Sequence, residues 1–235
     1  MIYITGDTHG TRDFYKLLDD RLKNLTKKDY ILICGDCGVL FDPVKSNHMI
    51  NLYTYLPYTV LFIDGNHENY DMLAEYAVSS WNGGKVQFIS DSIIHLMRGQ
   101  VYSIEGNTFF TFGGALSYDK DQRSPHESWW PQEIPTLEEY EEALENLSKV
   151  NNTVDYVITH DCPTSWSYMV SDSSKVQHHG FLISDANNYL EELKKAVHFK
   201  HWYFGHYHLD KNYDDVTALY NKILKLEGVN CGFNR

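Results

Sequence analysis

Cysteine is scarce in these 235 residues: Cys34, Cys37, Cys162 and Cys231 are all there are. Four thiols so unevenly spaced do not make a disulfide framework, which fits a reducing compartment. Basic charge is also short, with 20 Lys and Arg against 32 Asp and Glu and a formal net charge of −12. Grooves for long duplex nucleic acid work by neutralising phosphates with clustered cations, so a long duplex partner is not expected. A phosphate substrate stays open if bound cations supply the positive charge. No long apolar run suggests a membrane span. The opening Met1-Ile2-Tyr3-Ile4 reaches Asp7 with neither a basic nor an apolar leader region, so a cytoplasmic location is expected. Internal repeats and low-complexity stretches are missing as well, and residues 1–235 read as a single domain.

Aromatic side chains are abundant, with 18 Tyr and 5 Trp that read mostly as core or cleft wall. A pattern recurs in which a short apolar run ends abruptly in a residue able to bind metal. Tyr3-Ile4-Thr5 leads to Gly6-Asp7, Tyr30-Ile31-Leu32-Ile33 to Gly35-Asp36, and Val60-Leu61-Phe62-Ile63 to Gly65-Asn66. Further on, Tyr156-Val157-Ile158-Thr159 leads to His160, and Trp202-Tyr203-Phe204 to Gly205-His206. Runs apolar on both sides are the mark of strands covered on both faces, and ligands bind in the crevice beyond their carboxyl ends. Amphipathic helices are predicted after Thr11 (Phe14, Leu17, Leu18, Leu22), after Thr136 (Leu137, Tyr140, Leu144, Leu147) and after Ser184 (Tyr189, Leu190, Leu193). Thr136 with Glu139 forms a capping box. Parallel pairing is expected early in the chain, and antiparallel pairing among Ile93 to Leu96, Val101 to Ile104 and Thr108 to Phe112. The fold class is therefore mixed α/β.

Singly, each junction is weak. Asp7-x-His9 alone is more often a turn, Gly35-Asp36 a loop, and Asn66-His67 a helix cap. His206-x-His208 is more specific, because a spacing of two on an extended segment puts both imidazoles on one side. The ordered set Asp7-x-His9, Gly35-Asp36, Gly65-Asn66-His67-Glu68, Thr159-His160 and Gly205-His206-x-His208 resembles the calcineurin-like metallophosphoesterase family from Gly6 to His208. That resemblance implies a four-layer α-β-β-α sandwich of two mixed sheets flanked by helices, with a dinuclear metal centre at the strand carboxyl ends. It places Asp7, His9, Asp36 and His208 on one ion and Asp36, Asn66, His160 and His206 on the other, with Asp36 bridging. Two divalent ions are implied, manganese first, then iron, zinc, cobalt or nickel, and the mixed ligand types suit such borderline ions. A hydroxide shared by the ions would be the nucleophile, and His67 the general acid.

One block departs from the protein Ser/Thr phosphatases of this superfamily. Val39 and Leu40 stand where an acidic and a basic residue are usual, and Asp64 stands in place of an arginine. A phosphoprotein phosphatase is disfavoured, and the partner that orients His67 is left open, with Asp64 and Glu68 near it in sequence. The stretch from Gly113 to Pro135 reads as a lid over the metals, ordered by Trp129 and Trp130. Arg123, one of five arginines, is a candidate phosphate clamp, with His126 and Asn66 as further substrate contacts. For Arg123 a solvated surface position is an equal alternative. Cys34-x-x-Cys37 encloses Asp36 and reads as small residues filling a tight turn rather than a redox pair, and His178-His179 as a solvated loop. The expected activity is hydrolysis of a small phosphate monoester or diester. The rivals are a nuclease for short or single-stranded nucleic acid and a catalytically silent metal-binding scaffold.

Overall fold

The computed structural model describes residues 1–171 and 183–226. His178, His179 and Cys231 lie outside the described residues. The strands are β1 (Ile2–Thr5), β2 (Tyr30–Ile33), β3 (Thr59–Phe62), β4 (Val78–Trp81), β5 (Gly84–Ser90), β6 (Ile93–Leu96) and β7 (Gln100–Ile104). They continue with β8 (Asn107–Phe112), β9 (Tyr156–Thr159), β10 (His201–Phe204), β11 (Lys211–Tyr213), β12 (Val216–Ala218) and β13 (Ile223–Lys225). The α-helices are α1 (Ser46–Thr54), α2 (Tyr70–Ala74), α3 (Leu137–Lys149), α4 (Thr164–Ser171) and α5 (Asp185–Ala196).

One sheet has seven strands in the order β13-β1-β2-β3-β6-β5-β4, and the other six in the order β11-β12-β10-β9-β8-β7. In the first, β1, β2, β3 and β6 run parallel, and in the second β8, β9, β10 and β12 do. Antiparallel strands occupy the margins of both sheets. The two-residue alternation of strands divides the apolar side chains into three layers. Ile2, Ile4, Leu32, Leu61, Ile158 and Tyr203 meet between the sheets. Ile31, Ile33, Val60 and Phe62 face outward to Met49 and Tyr53 of α1. Val157, Trp202 and Phe204 face outward to Leu147 of α3 and to Leu190 and Leu193 of α5. Helix, sheet, sheet, helix is the four-layer order expected from the sequence.

Several local expectations are corrected. The segment after Gly10 forms two short 3-10 turns, Phe14–Leu18 and Asp20–Leu22, and not an α-helix capped by Thr11. Asp13 pairs with His9 and accepts from the distant Tyr220 hydroxyl, Lys16 donates to the Tyr220 carbonyl, and Asp19 turns extended with φ −55° and ψ 134° between the two turns. Phe14, Leu17 and Leu22 are buried as predicted, while Leu18 is exposed. Helices α3 and α5 open on capping boxes at Thr136 and Ser184, although Leu137 of the predicted stripe is exposed. β6 is not part of an antiparallel group with β7 and β8. It lies parallel to β3 in the first sheet, and β7 and β8 form a hairpin in the second.

Candidate metal centre

Five of the parallel strands lead to the seven residues singled out from sequence. β1 leads to Asp7, β2 to Asp36, β3 to Asn66 and His67, β9 to His160, and β10 to His206 and His208. β6 leads to Arg98, β8 to Ser117 and β12 to Tyr220. Donor atoms of Asp7, His9 and His208 lie within 4.8 Å of one another, as do those of Asp7, Asp36 and His160. The two oxygens of Asp36 face different histidines: Oδ2 is 3.4 Å from His9 Nε2 and Oδ1 is 3.4 Å from His160 Nε2. Asn66 Oδ1 is 3.1 Å from His160 Nε2, and the His206 ring packs edge-on at 5.1 Å from the His160 ring. The seven residues singled out from sequence thus surround one point, with Asp7 common to both triads. Gly65 and Gly205 allow the approach, since a Cβ at either would strike Asp36 or Asp7 respectively.

Neighbouring groups aim these donors. His160 Nδ1 donates to the Cys34 carbonyl at 2.7 Å, leaving Nε2 toward the centre. His9 Nδ1 pairs with Asp13 Oδ2 at 2.8 Å, and Tyr220 donates to the other Asp13 oxygen while stacking on His208 at 4.4 Å. Asn66 Nδ2 donates to Ser117 Oγ at 3.1 Å. Ser117 in turn donates from Oγ and N to the buried Glu133 carboxylate, at 2.6 and 2.8 Å. Lys16 Nζ donates to the carbonyls of Gly6, Asp7 and Tyr220, and burial lowers its pKa to about 8.

Asp7 and Asp36 are buried, and among the described residues their ion-pair partners are histidines only. Buried carboxylates need compensation. Here the imidazoles provide it: burial pulls His9 and His160 down, but Asp36 and Asp7 outweigh it and raise them to about 9 and about 10. Burial likewise pushes the Asp36 carboxyl up, and His160 and His67 more than reverse this, holding it well below the usual range. His206 goes the other way, to about 4, because burial dominates.

These residues fit divalent ions on two observations. His206 Nε2 is buried and makes no hydrogen bond, and buried Asp7 Oδ2 makes none either, facing only the Nε2 atoms of His208 at 3.2 Å and His9 at 3.9 Å, where buried polar atoms are normally satisfied. Of ten non-glycine residues with positive φ among the described residues, four are His9 (43°), Asp36 (50°), His206 (64°) and His208 (50°). Backbone strain of this kind persists where the surroundings over-determine it and gathers at functional sites. Carboxylate, imidazole and amide donors suit borderline divalent cations.

His67 finds its partner in Arg123, whose Nη1 donates to His67 Nδ1 at 2.9 Å while its Nε holds Asp119 at 2.7 Å. A guanidinium only donates, so Nδ1 accepts and the proton of the neutral ring sits on Nε2. Burial lowers the His67 pKa, and Arg123 adds to this. Asp64 and Glu68 do not orient His67: Asp64 accepts from Arg98, His95 and Tyr70, and Glu68 accepts from the Cys37 N–H. His126 lines neither cleft at the centre and pairs with Asp71 at 2.9 Å, where Trp130 Nε1 also donates. Its segment, 113–135, is a strap carrying Ser117 and Arg123 to Asn66 and His67. Cys34 and Cys37 are buried in the tight turn around Asp36, with backbone groups engaged.

Two clefts flank the centre and share His67, Arg123 and His208. One, of 490 Å³, has Tyr118, Tyr207 and Tyr220 as walls, and the other, of 470 Å³, opens on the His9 side over Phe41 and Met49. Ser117, Tyr118 and Tyr220 were not predicted, and no local spacing points to them.

A crevice of carboxylates and imidazoles at the ends of parallel strands in two packed sheets defines a candidate metal centre. The calcineurin-like phosphoesterase family profile matches residues 1–210, and the chain belongs to that family. It is 26% identical over 234 residues to the lariat debranching enzyme of Drosophila melanogaster, covering 88% of this chain and 42% of that protein. The lariat debranching enzyme of Drosophila pseudoobscura pseudoobscura is 24% identical over 233 residues, with the same shares covered. The chain thus spans less than half the length of these relatives. The phosphopantetheinyl hydrolase of Mycobacterium tuberculosis aligns with a TM-score of 0.44 at 14% identity, over 93% of this chain and 87% of that one. Among the described residues no helix is long and apolar enough to cross a membrane.

Proposed function

We propose that the chain hydrolyses a phosphodiester at a two-ion centre. Asp7, His9, Asp36 and His208 would hold one ion, and Asp36, Asn66, His160 and His206 the other. The observation that carries this reading is the pair of buried, unsatisfied ligand atoms, Asp7 Oδ2 and His206 Nε2, in a cluster whose carboxylates lack lysine or arginine partners. When bound, divalent ions lower the pKa of water and screen phosphoryl charge, and manganese is the first to load. His67 lies between the two clefts with Nδ1 occupied by Arg123, so Nε2–H is the group it offers to the leaving oxygen. Arg123 acts on phosphate through His67 rather than as a free clamp. Two clefts give room for two ester substituents, which favours a diester over a monoester.

A second reading, cleavage of a short or single-stranded nucleic acid, draws on the similarity to lariat debranching enzymes and on the acidity that disfavours long duplex. The test is turnover of bis(para-nitrophenyl) phosphate and para-nitrophenyl phosphate by the metal-loaded chain. Hydrolysis of the diester is expected, with His67→Ala keeping its ions and losing turnover mainly on esters whose leaving groups are poorer than para-nitrophenolate. Preference for the monoester overturns the diester reading, and bound ions without hydrolysis of either leave a silent scaffold.

A further inference from the structure

We infer that the cleft on the His9 side binds a second phosphate group of the same substrate, through Arg12 and Lys45. The inference deepens the phosphoesterase reading and rests on it. The cleft lining carries Arg12, Lys45 and Arg123 against one carboxylate, Asp42, in a chain where acidic residues outnumber basic ones 32 to 20. Such a local excess of positive charge focuses anions. Arg123 is committed to Asp119, His67 and the Ser128 carbonyl. Arg12 is exposed, and among the described residues its guanidinium makes no hydrogen bond or ion pair. Lys45 pairs with Asp42 at 2.9 Å, but the two side chains are 70% and 36% exposed. An exposed pair of that kind contributes little, so the ammonium can turn to a ligand at small cost.

Arg12 follows His9 by three residues, and His9 and His208 form the inner end of the cleft. A phosphoryl group held between the metal ligands therefore leaves one substituent of the ester in this cleft. Phe41 and Met49 give that substituent an apolar wall, and the cations beyond offer nothing to a neutral arm. A guanidinium with paired donors and a mobile ammonium together suit a phosphate. The substrate class assigned is a phosphodiester in which one arm bears a further phosphate.

Calorimetric titration of the metal-loaded chain tests this with matched ligands: an alkylphosphonate, and the α,ω-bisphosphonate of the same carbon chain, over a series of lengths. At one length or more the bisphosphonate should bind about tenfold tighter at low salt, and this advantage should shrink in about 0.5 M salt. In Arg12→Ala/Lys45→Ala the advantage should vanish while alkylphosphonate affinity is unchanged; both sites are exposed, so folding is not at stake. Equal affinity at every length, including no binding of either ligand, overturns the inference, as does an advantage that survives the double substitution. Diester turnover reports separately on the reading beneath it.

Discussion

The two sheets have nearly the same plan, four parallel strands with antiparallel margins, yet they contribute different chemistry to the crevice. The first sheet supplies the carboxylates Asp7 and Asp36 and the amide of Asn66, with His9 beside them. The second supplies only imidazoles, His160, His206 and His208. Neither sheet alone holds a balanced set of charges. The buried acids of the first are offset by His9 of their own sheet and by His160 of the other, so packing the sheets over Leu32, Leu61 and Ile158 also assembles the donor set. A binding site divided in this way ties ion affinity to the apolar core between the sheets.

Asp36→Asn should break the comparison most completely, because Asp36 alone places one oxygen toward each sheet's histidine. Turnover should fall on the order of a thousandfold or more, and elemental analysis should show loss of bound ions. Wild-type metal content in that variant would remove Asp36 from the centre.

A second effect sharpens the contrast between acids and imidazoles. With pKa values of about 9 and about 10, His9 and His160 both carry protons at neutral pH in the ion-free chain. Loading divalent ions must displace those protons. Titrations at pH 7 in buffers of different ionisation enthalpy should report release of about two, and no release would contradict the assignment. The same shifts set the pH dependence of the ion-free fold. Both histidines are raised above their ordinary 6.5. Their contribution is therefore full below that pH and is lost as pH rises toward 9 and then 10. Denaturant midpoints should fall across this window without ions, and fall less with them.

The smallest expected effect is in the strap. Ser117→Ala removes the hydroxyl between Asn66 and Glu133 while leaving every proposed ligand in place. Loss of such a supporting partner typically weakens metal affinity or activity about 10- to 100-fold. A competition titration against a metallochromic indicator should find that weakening in the ion nearest Asn66. Unchanged affinity would reduce Ser117 to a packing role.

Much of this arrangement was legible in the chain because its signals are local. Each strand that leads to a proposed ligand is a short apolar run ended by a polar group, and the Thr136 box and the start at Ser184 announce α3 and α5. The Asn82-Gly83 turn, with φ of 49° and 99°, joins β4 and β5 as a primed hairpin turn. It is an equally local signal that the strand reading passed over. What could not be read is contact between distant segments. Ser117 reaches Asn66 across 51 positions and Arg123 reaches His67 across 56. Asp13 and Lys16 had ordinary helical spacing, and only their tertiary partners explain why no α-helix forms there. His126 looked like a substrate contact by its place in the strap, whereas the fold turns it outward to Asp71.

The Lys16 ammonium gathers carbonyls from Gly6, Asp7 and Tyr220, so it fastens the start of the chain to a stretch some 200 positions later. β13 adds to that stitch by pairing with β1, and Tyr220 lies flat against His208. The family profile stops at residue 210. A boundary drawn there would shear off the clasp that closes the first sheet's edge and leave His208 without the ring stacked on it. The folded unit therefore extends past the segment that the family profile matches.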